Sequence, residues 1–128
     1  MRTIVLSLLI SIPLAGQIRM PAYQRISLDN GAAIFLMPKK DLPLVSLRVS
    51  VRGGAEADPA GMNGVGLIAL EMLTRGTEKR SRVKLAEDLD QLGIRMQTVM
   101  SKQTASVELE FLSKDSAQVF ALIEEMLL

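Results

Sequence analysis

The chain has 128 residues, a net charge of +1, 48% hydrophobic residues and 3% aromatics, enough for one core but without the basic surface or stacking rings of a nucleic-acid binder. It contains no Cys and no His, which excludes a disulfide frame, Ser-His-Asp and Cys-His catalysis, and zinc held by imidazole or thiolate from this chain.

The N-terminus stands apart. A positive start, Met1-Arg2-Thr3, precedes an apolar run from Ile4 to Leu14, then small Ala15-Gly16 and polar Gln17. This is the three-part pattern of a secretory signal, and the alternative is a buried N-terminal strand or helix. The run is shorter than the roughly 20 apolar residues that span a bilayer, so no stable membrane span is expected. No Cys follows to carry a lipid anchor. Residues 1–17 are set aside as a signal peptide, which implies a periplasmic or secreted protein, and 18–128 are taken as one domain.

Tyr23 to Leu28 reads as a strand, Asn30-Gly31 as a two-residue hairpin turn, since both residues tolerate positive φ, and Ala32 to Met37 as the returning strand. Leu44 to Arg52 is the clearest strand: Val45, Leu47, Val49 and Val51 alternate with Ser46, Arg48, Ser50 and Arg52. Gly53-Gly54 ends it. A nearly all-apolar run, Val65 to Leu73, forms the heart of a helix within Gly61–Thr74, with Gly76 as its stop. Such a helix is expected to be buried on all sides, and its single charge, Glu71, would then need a partner, a proton or a cleft.

Ser81 is placed to cap a second helix with Val83, Ala86, Leu89 and Leu92 on its apolar face, solvated charges opposite, and Gly93 at its end. Ile94 to Ser101 follows as a strand, with Ile94, Met96, Thr98 and Met100 on one side. Lys102-Gln103 turns the chain into Ala105 to Leu112, where Val107, Leu109 and Phe111 face inward. Ser113 opens a last helix with an apolar stripe of Val119, Phe120, Ile123, Met126 and Leu127, and the sequence stops inside that stripe, as a truncated domain would. The order β-β-β-α-α-β-β-α predicts an α+β fold, a largely antiparallel sheet with helices on one face.

Six short stretches follow in order: Leu28-Asp29-Asn30-Gly31, Leu42-Pro43-Leu44-Val45, Arg52-Gly53-Gly54-Ala55-Glu56, Gly64-Val65-Gly66-Leu67, Arg75-Gly76-Thr77 with Arg80-Ser81, and Leu89-Asp90-Gln91-Leu92-Gly93. As an ordered set they resemble the M16 metallopeptidases, the family of pitrilysin, insulinase and the mitochondrial processing peptidase. The resemblance spans about residues 22–128 and implies the N-terminal part of one M16 half, a LuxS-like metallohydrolase half-domain.

Active members carry H-x-x-E-H on the first helix. Two His one turn apart grip one zinc, and the Glu activates its water. Counted back from Gly76-Thr77, those places hold Leu67, Leu70 and Glu71. The resemblance therefore implies a degenerate motif with no catalytic residue and no metal ligand, and zinc only in a partner. Glu71 is left as a remnant charge facing the cleft or an ordinary ion-paired helix residue.

M16 proteins are built from similar halves around a chamber, and in two-chain members only one half bears zinc. The chain thus resembles a non-catalytic subunit that pairs with a zinc-bearing M16 homologue and helps to bind peptide or unfolded polypeptide. The family's peptide-binding sheet edge corresponds to Met96, Gln97, Thr98, Val99, Met100 and Ser101, with an internal strand as the alternative. Two other readings remain: a scaffold or assembly subunit without a peptidase role, and an active zinc endopeptidase with an atypical site.

Overall fold

A computed structural model describes residues 21–128; the expected signal peptide lies outside the described residues. In chain order the elements are β1 (Gln24–Ser27), β2 (Ala33–Leu36), β3 (Leu44–Arg52), a short 3₁₀ turn (Gly54–Ala57), α1 (Val65–Met72), α2 (Arg82–Gln91), β4 (Arg95–Met100), β5 (Thr104–Leu112), a second 3₁₀ turn (Ser113–Asp115) and α3 (Ser116–Leu127). The α+β class and the predicted order of strands and helices are both present.

The chain divides after Lys39 into two units. In the first, β1 and β2 pair antiparallel, with Gln24 opposite Leu36 and Ser27 opposite Ala33. The turn differs from the expected one. Only Gly31 takes a positive φ, 83°, and Asn30 does not. Gly31 N–H donates to the Leu28 carbonyl at 3.0 Å, Leu28 N–H to the Ala32 carbonyl at 2.8 Å, and Ala32 N–H to Asn30 Oδ1 at 3.0 Å. This is a three-residue connection with one left-handed glycine. The Asn30 side chain closes the loop while its backbone keeps a negative φ.

In the second unit, the antiparallel sheet runs β3-β5-β4. Register places Val45 beside Phe111, Leu47 beside Leu109 and Val49 beside Val107, with Met96 beside Leu109 from the other side. These residues share one face, because side chains alternate along a strand. Leu85 of α2 and Val119 and Leu122 of α3 complete the buried cluster over it, and Leu70 and Leu73 pack at its margin. Phe111 is 1% exposed, and Leu85 and Val119 are fully buried. The opposite face is polar: Arg48 Nη2 lies 2.5 Å from Glu108 Oε1, and Gln97 Nε2 donates to Glu108 Oε2 at 2.8 Å.

Two helical stripes differ from expectation. In α2 the core-facing residues are Leu85, Leu89 and Leu92, whereas Val83 is 67% exposed. Ser81 caps the helix as predicted, its Oγ accepting from Lys84 N–H at 3.3 Å. The spacing of 85, 89 and 92 keeps those three within about 60° of one another, while Val83 points roughly 200° away from Leu85. In α3 the core takes Val119 and Leu122, with Ile123 and Met126 beside them; Phe120 and Leu127 lie largely outside. Phe120 instead meets the edge of Phe111, with ring centroids 6.1 Å apart.

The segment between α1 and α2 is fastened to both later helices. Arg80 pairs with Asp88 of α2 at 2.9 Å and with Glu125 of α3, and Thr77 Oγ1 donates to the same Glu125. Lys84 lies 2.7 Å from Asp88. The Lys84 hydrogen bond, aided by Arg80 and opposed by partial desolvation, holds the Asp88 carboxyl below its ordinary range; the same bond raises Lys84. Asp88, expected on a purely solvated face, is thus an ion-pair partner.

Candidate functional site

The candidate site is α1 together with the β4 edge. The entry to α1 is built by backbone close approach. Gly53 N–H donates to Gln103 carbonyl at 2.8 Å, Ala55 N–H to Ser101 carbonyl at 3.0 Å, and Glu56 N–H to Lys102 carbonyl at 2.9 Å. The 3₁₀ turn is therefore stitched to the β4–β5 turn. Lys102 Nζ, 3.2 Å from Glu56 Oε1, adds an exposed ion pair.

Asp58 then organises the first turn of α1. Its Oδ2 accepts from Gly64 N–H at 2.6 Å and its Oδ1 from Gly66 N–H at 2.9 Å. A carboxylate there satisfies orphan donors and opposes the positive end of the helix dipole. Gly66 must be bare for this: a Cβ would stand 2.8 Å from Asp58 Oδ1 and 3.3 Å from Met100 Cε. Asp58 was not singled out in the sequence; its signal is an acid ahead of a Gly-x-Gly helix entry, the two ends separated by a loop that hides their proximity. Asp58→Ala is expected to destabilise the domain by about 1–2 kcal/mol, read as a lower urea midpoint; Asp58→Asn, which keeps one acceptor, should lose less. Equal midpoints for wild type and Asp58→Ala would remove the capping role.

The expectation that α1 is buried on all sides is not met. Gly66, Leu70 and Leu73 form the half-buried stripe, and no residue of the helix is fully buried. Ile68 and Met72 are 61% and 60% exposed, and Val65 and Leu67 also lie largely open. The physical reason is width: an apolar helix covers only the stripe its neighbours present, and among the described residues only the sheet side is occupied. Glu71 is exposed, so it bears no burial penalty, and it makes no ion pair among the described residues.

The three motif positions separate accordingly. Leu70 packs at the core margin, and Leu67 and Glu71, one turn apart, are on the open side. Two of the three are aliphatic and the third offers one carboxylate. No group of three or more His, Cys, Asp or Glu suited to a metal ion occurs among the described residues.

The second predicted site, 96–101, divides too. Met96 to Met100 lie in β4, which pairs with β5 and forms one border of the three-stranded sheet. Ser101 lies outside the strand. Its N–H and Oγ are engaged with Thr104, and its carbonyl accepts from Ala55. Ile94, predicted to open the strand, instead closes α2, its N–H bonding to the Leu89 carbonyl at 2.9 Å.

The sequence model of Insulinase (Peptidase family M16) matches residues 35–128. The chain belongs to the M16 family. A crystal structure of a peptidase M16 inactive domain from Pseudomonas fluorescens is similar, with a TM-score of 0.76 and 24% identity over 82% of this chain. A protease from Helicobacter pylori is similar over 84% of the chain, with a TM-score of 0.74 and 14% identity. The chain spans 26% of each of those proteins. No curated protein matches it.

Within the M16 half-domain the ordered motifs acquire physical meanings. Arg52-Gly53-Gly54-Ala55-Glu56 is the backbone stitch to the β4–β5 turn, Gly64-Val65-Gly66 is the Asp58 cradle, and Arg75-Gly76-Thr77 with Arg80 carries the clasp on Asp88 and Glu125. No helix among the described residues is long and apolar enough to cross a membrane.

Proposed function

We propose that this chain is a non-catalytic M16 subunit that pairs with a zinc-bearing homologue and contributes part of the wall and a peptide-binding edge to their shared chamber. One observation carries the reading: the chain has no His, and the one-turn pair that would grip zinc is Leu67 and Glu71. A lone carboxylate beside two aliphatic side chains does not fit zinc, which takes several N, S or O donors in tetrahedral array. The residues present therefore hold no metal and activate no water, and the zinc chemistry belongs to the partner.

Val65, Ile68 and Met72, exposed within about 60° of one another around α1, support a packing role, because clustered exposed apolar surface marks a contact site. The β4 edge supports peptide binding by strand addition: the backbone groups of alternate residues are directed away from β5. The secretory pattern of residues 1–17 supports a periplasmic or secreted location.

Affinity purification of the full-length protein from its native host tests the assignment. A homologue bearing H-x-x-E-H should co-purify and carry the zinc, while this protein alone, dialysed and assayed by elemental analysis, should retain far less than one equivalent. One equivalent held by this protein alone would contradict the silent site. Absence of any zinc-bearing homologue would favour the scaffold role.

A further inference from the structure

The two faces of the β4 edge carry different chemistry, and the cross-strand rows that end there prescribe what a fourth strand should bring. On the helix side the rows run Leu47–Leu109–Met96, Val49–Val107–Thr98 and Val51–Ala105–Met100. On the polar side they run Ser46–Glu110–Arg95, Arg48–Glu108–Gln97 and Ser50–Ser106–Val99. Interior positions of a sheet have a cross-strand neighbour on each side, and opposite charges in such positions attract. The Arg48–Glu108–Gln97 row is already satisfied by the 2.5 Å ion pair and the 2.8 Å hydrogen bond. Arg95 differs. It is exposed, its register neighbour on β5 is Glu110, and no carboxylate among the described residues lies within ion-pair distance of it. Its other flank is the outer border of β4, with which no further strand pairs among the described residues.

Resting on the strand-addition reading above, we infer that this edge selects extended peptides with alternating apolar residues on the helix side and an acidic residue on the polar side, directly across from Arg95. The row then reads acid–Arg95–Glu110, with the guanidinium flanked by two carboxylates, and the apolar set continues the Met96, Thr98 and Met100 rows. Arg95 is a specificity residue here, because the backbone hydrogen bonds that hold a strand carry no charge preference.

The test uses the full-length protein and two synthetic peptides of alternating valine and threonine, identical except for one Asp or one Lys at a central threonine position. Sliding by two residues lets the charged position find Arg95 without turning the peptide over. Titration followed by fluorescence anisotropy should show the Asp peptide binding about two- to fivefold tighter. Arg95→Glu should reverse the order, and Arg95→Gln should bring the two peptides level. Peptides N-methylated at alternate amides should bind none of the three proteins.

Equal binding of the Asp and Lys peptides to the wild type, or an order unchanged by Arg95→Glu, overturns the charge selection while leaving strand addition standing. Unimpaired binding of the N-methylated peptides, or no binding of any peptide, overturns strand addition and the selection with it.

Discussion

Gly54→Ala is expected to be the most damaging glycine-to-alanine substitution among the described residues. Gly54 has φ of +45°, and an added Cβ would lie 2.5 Å from both the Ser101 carbonyl oxygen and the Thr104 nitrogen. Both atoms are backbone, so no side chain can swing aside. The Ser101 oxygen also belongs to the stitch in which Ala55 and Glu56 donate to the Ser101 and Lys102 carbonyls. Relief requires the 3₁₀ turn to part from the β4–β5 turn, which loosens both the entry to α1 and the end of the candidate peptide edge. Left-handed strain and overpacking together should cost about 2–5 kcal/mol, a large share of a small domain's stability. Chemical denaturation of wild type and variant reads this directly. A loss below about 1 kcal/mol would mean that the two turns separate freely and that the stitch is not structural.

Phe111→Ala is expected to cost about 3–5 kcal/mol. Phe111 is 1% exposed and stands opposite Val45 on the helix-covered face, with the ring of Phe120 at its edge. Truncation removes the ring from the middle of the cluster formed with Leu85, Leu109, Val119 and Leu122 and leaves a cavity that the neighbouring strand cannot close. Phe120→Ala is the informative companion. Phe120 is 51% exposed, so it should lose mainly the aromatic pair, about 0.5–1.5 kcal/mol. The ordering of the two variants in a urea series is the check: equal losses would show that α3 packs by the stripe expected from its sequence rather than by Val119 and Leu122.

That contrast indicates where sequence periodicity stops being informative. Strand faces were legible because a period of two admits only two phases, and Val45, Leu47, Val107, Leu109 and Phe111 chose the inner one. Helix stripes were less so. An apolar-rich helix offers several overlapping stripes, and the partner surface selects among them. In α2 the sheet takes Leu85, Leu89 and Leu92 over Val83; in α3 it takes Leu122 over Phe120. For α1, composition predicts burial all round, yet only the Gly66–Leu70–Leu73 stripe has neighbours among the described residues.

The sequence by itself determined the element order, the antiparallel alternation, the Ser81 cap, the ordered M16 motifs and the lack of any imidazole at the positions of Leu67 and Glu71. Those are properties of residue type and spacing, which local rules read directly. Only the tertiary structure decided that Asp58 cradles the start of α1, that Gly54 abuts the β4–β5 turn, that Arg80 joins Asp88 to Glu125, and that Arg95 stands at a sheet border without an ion pair among the described residues. The physical reason is separation along the chain: Gly54 and Ser101, or Arg80 and Glu125, meet only because the sheet and the helices over it fold them together, and no local pattern encodes a distance across that fold.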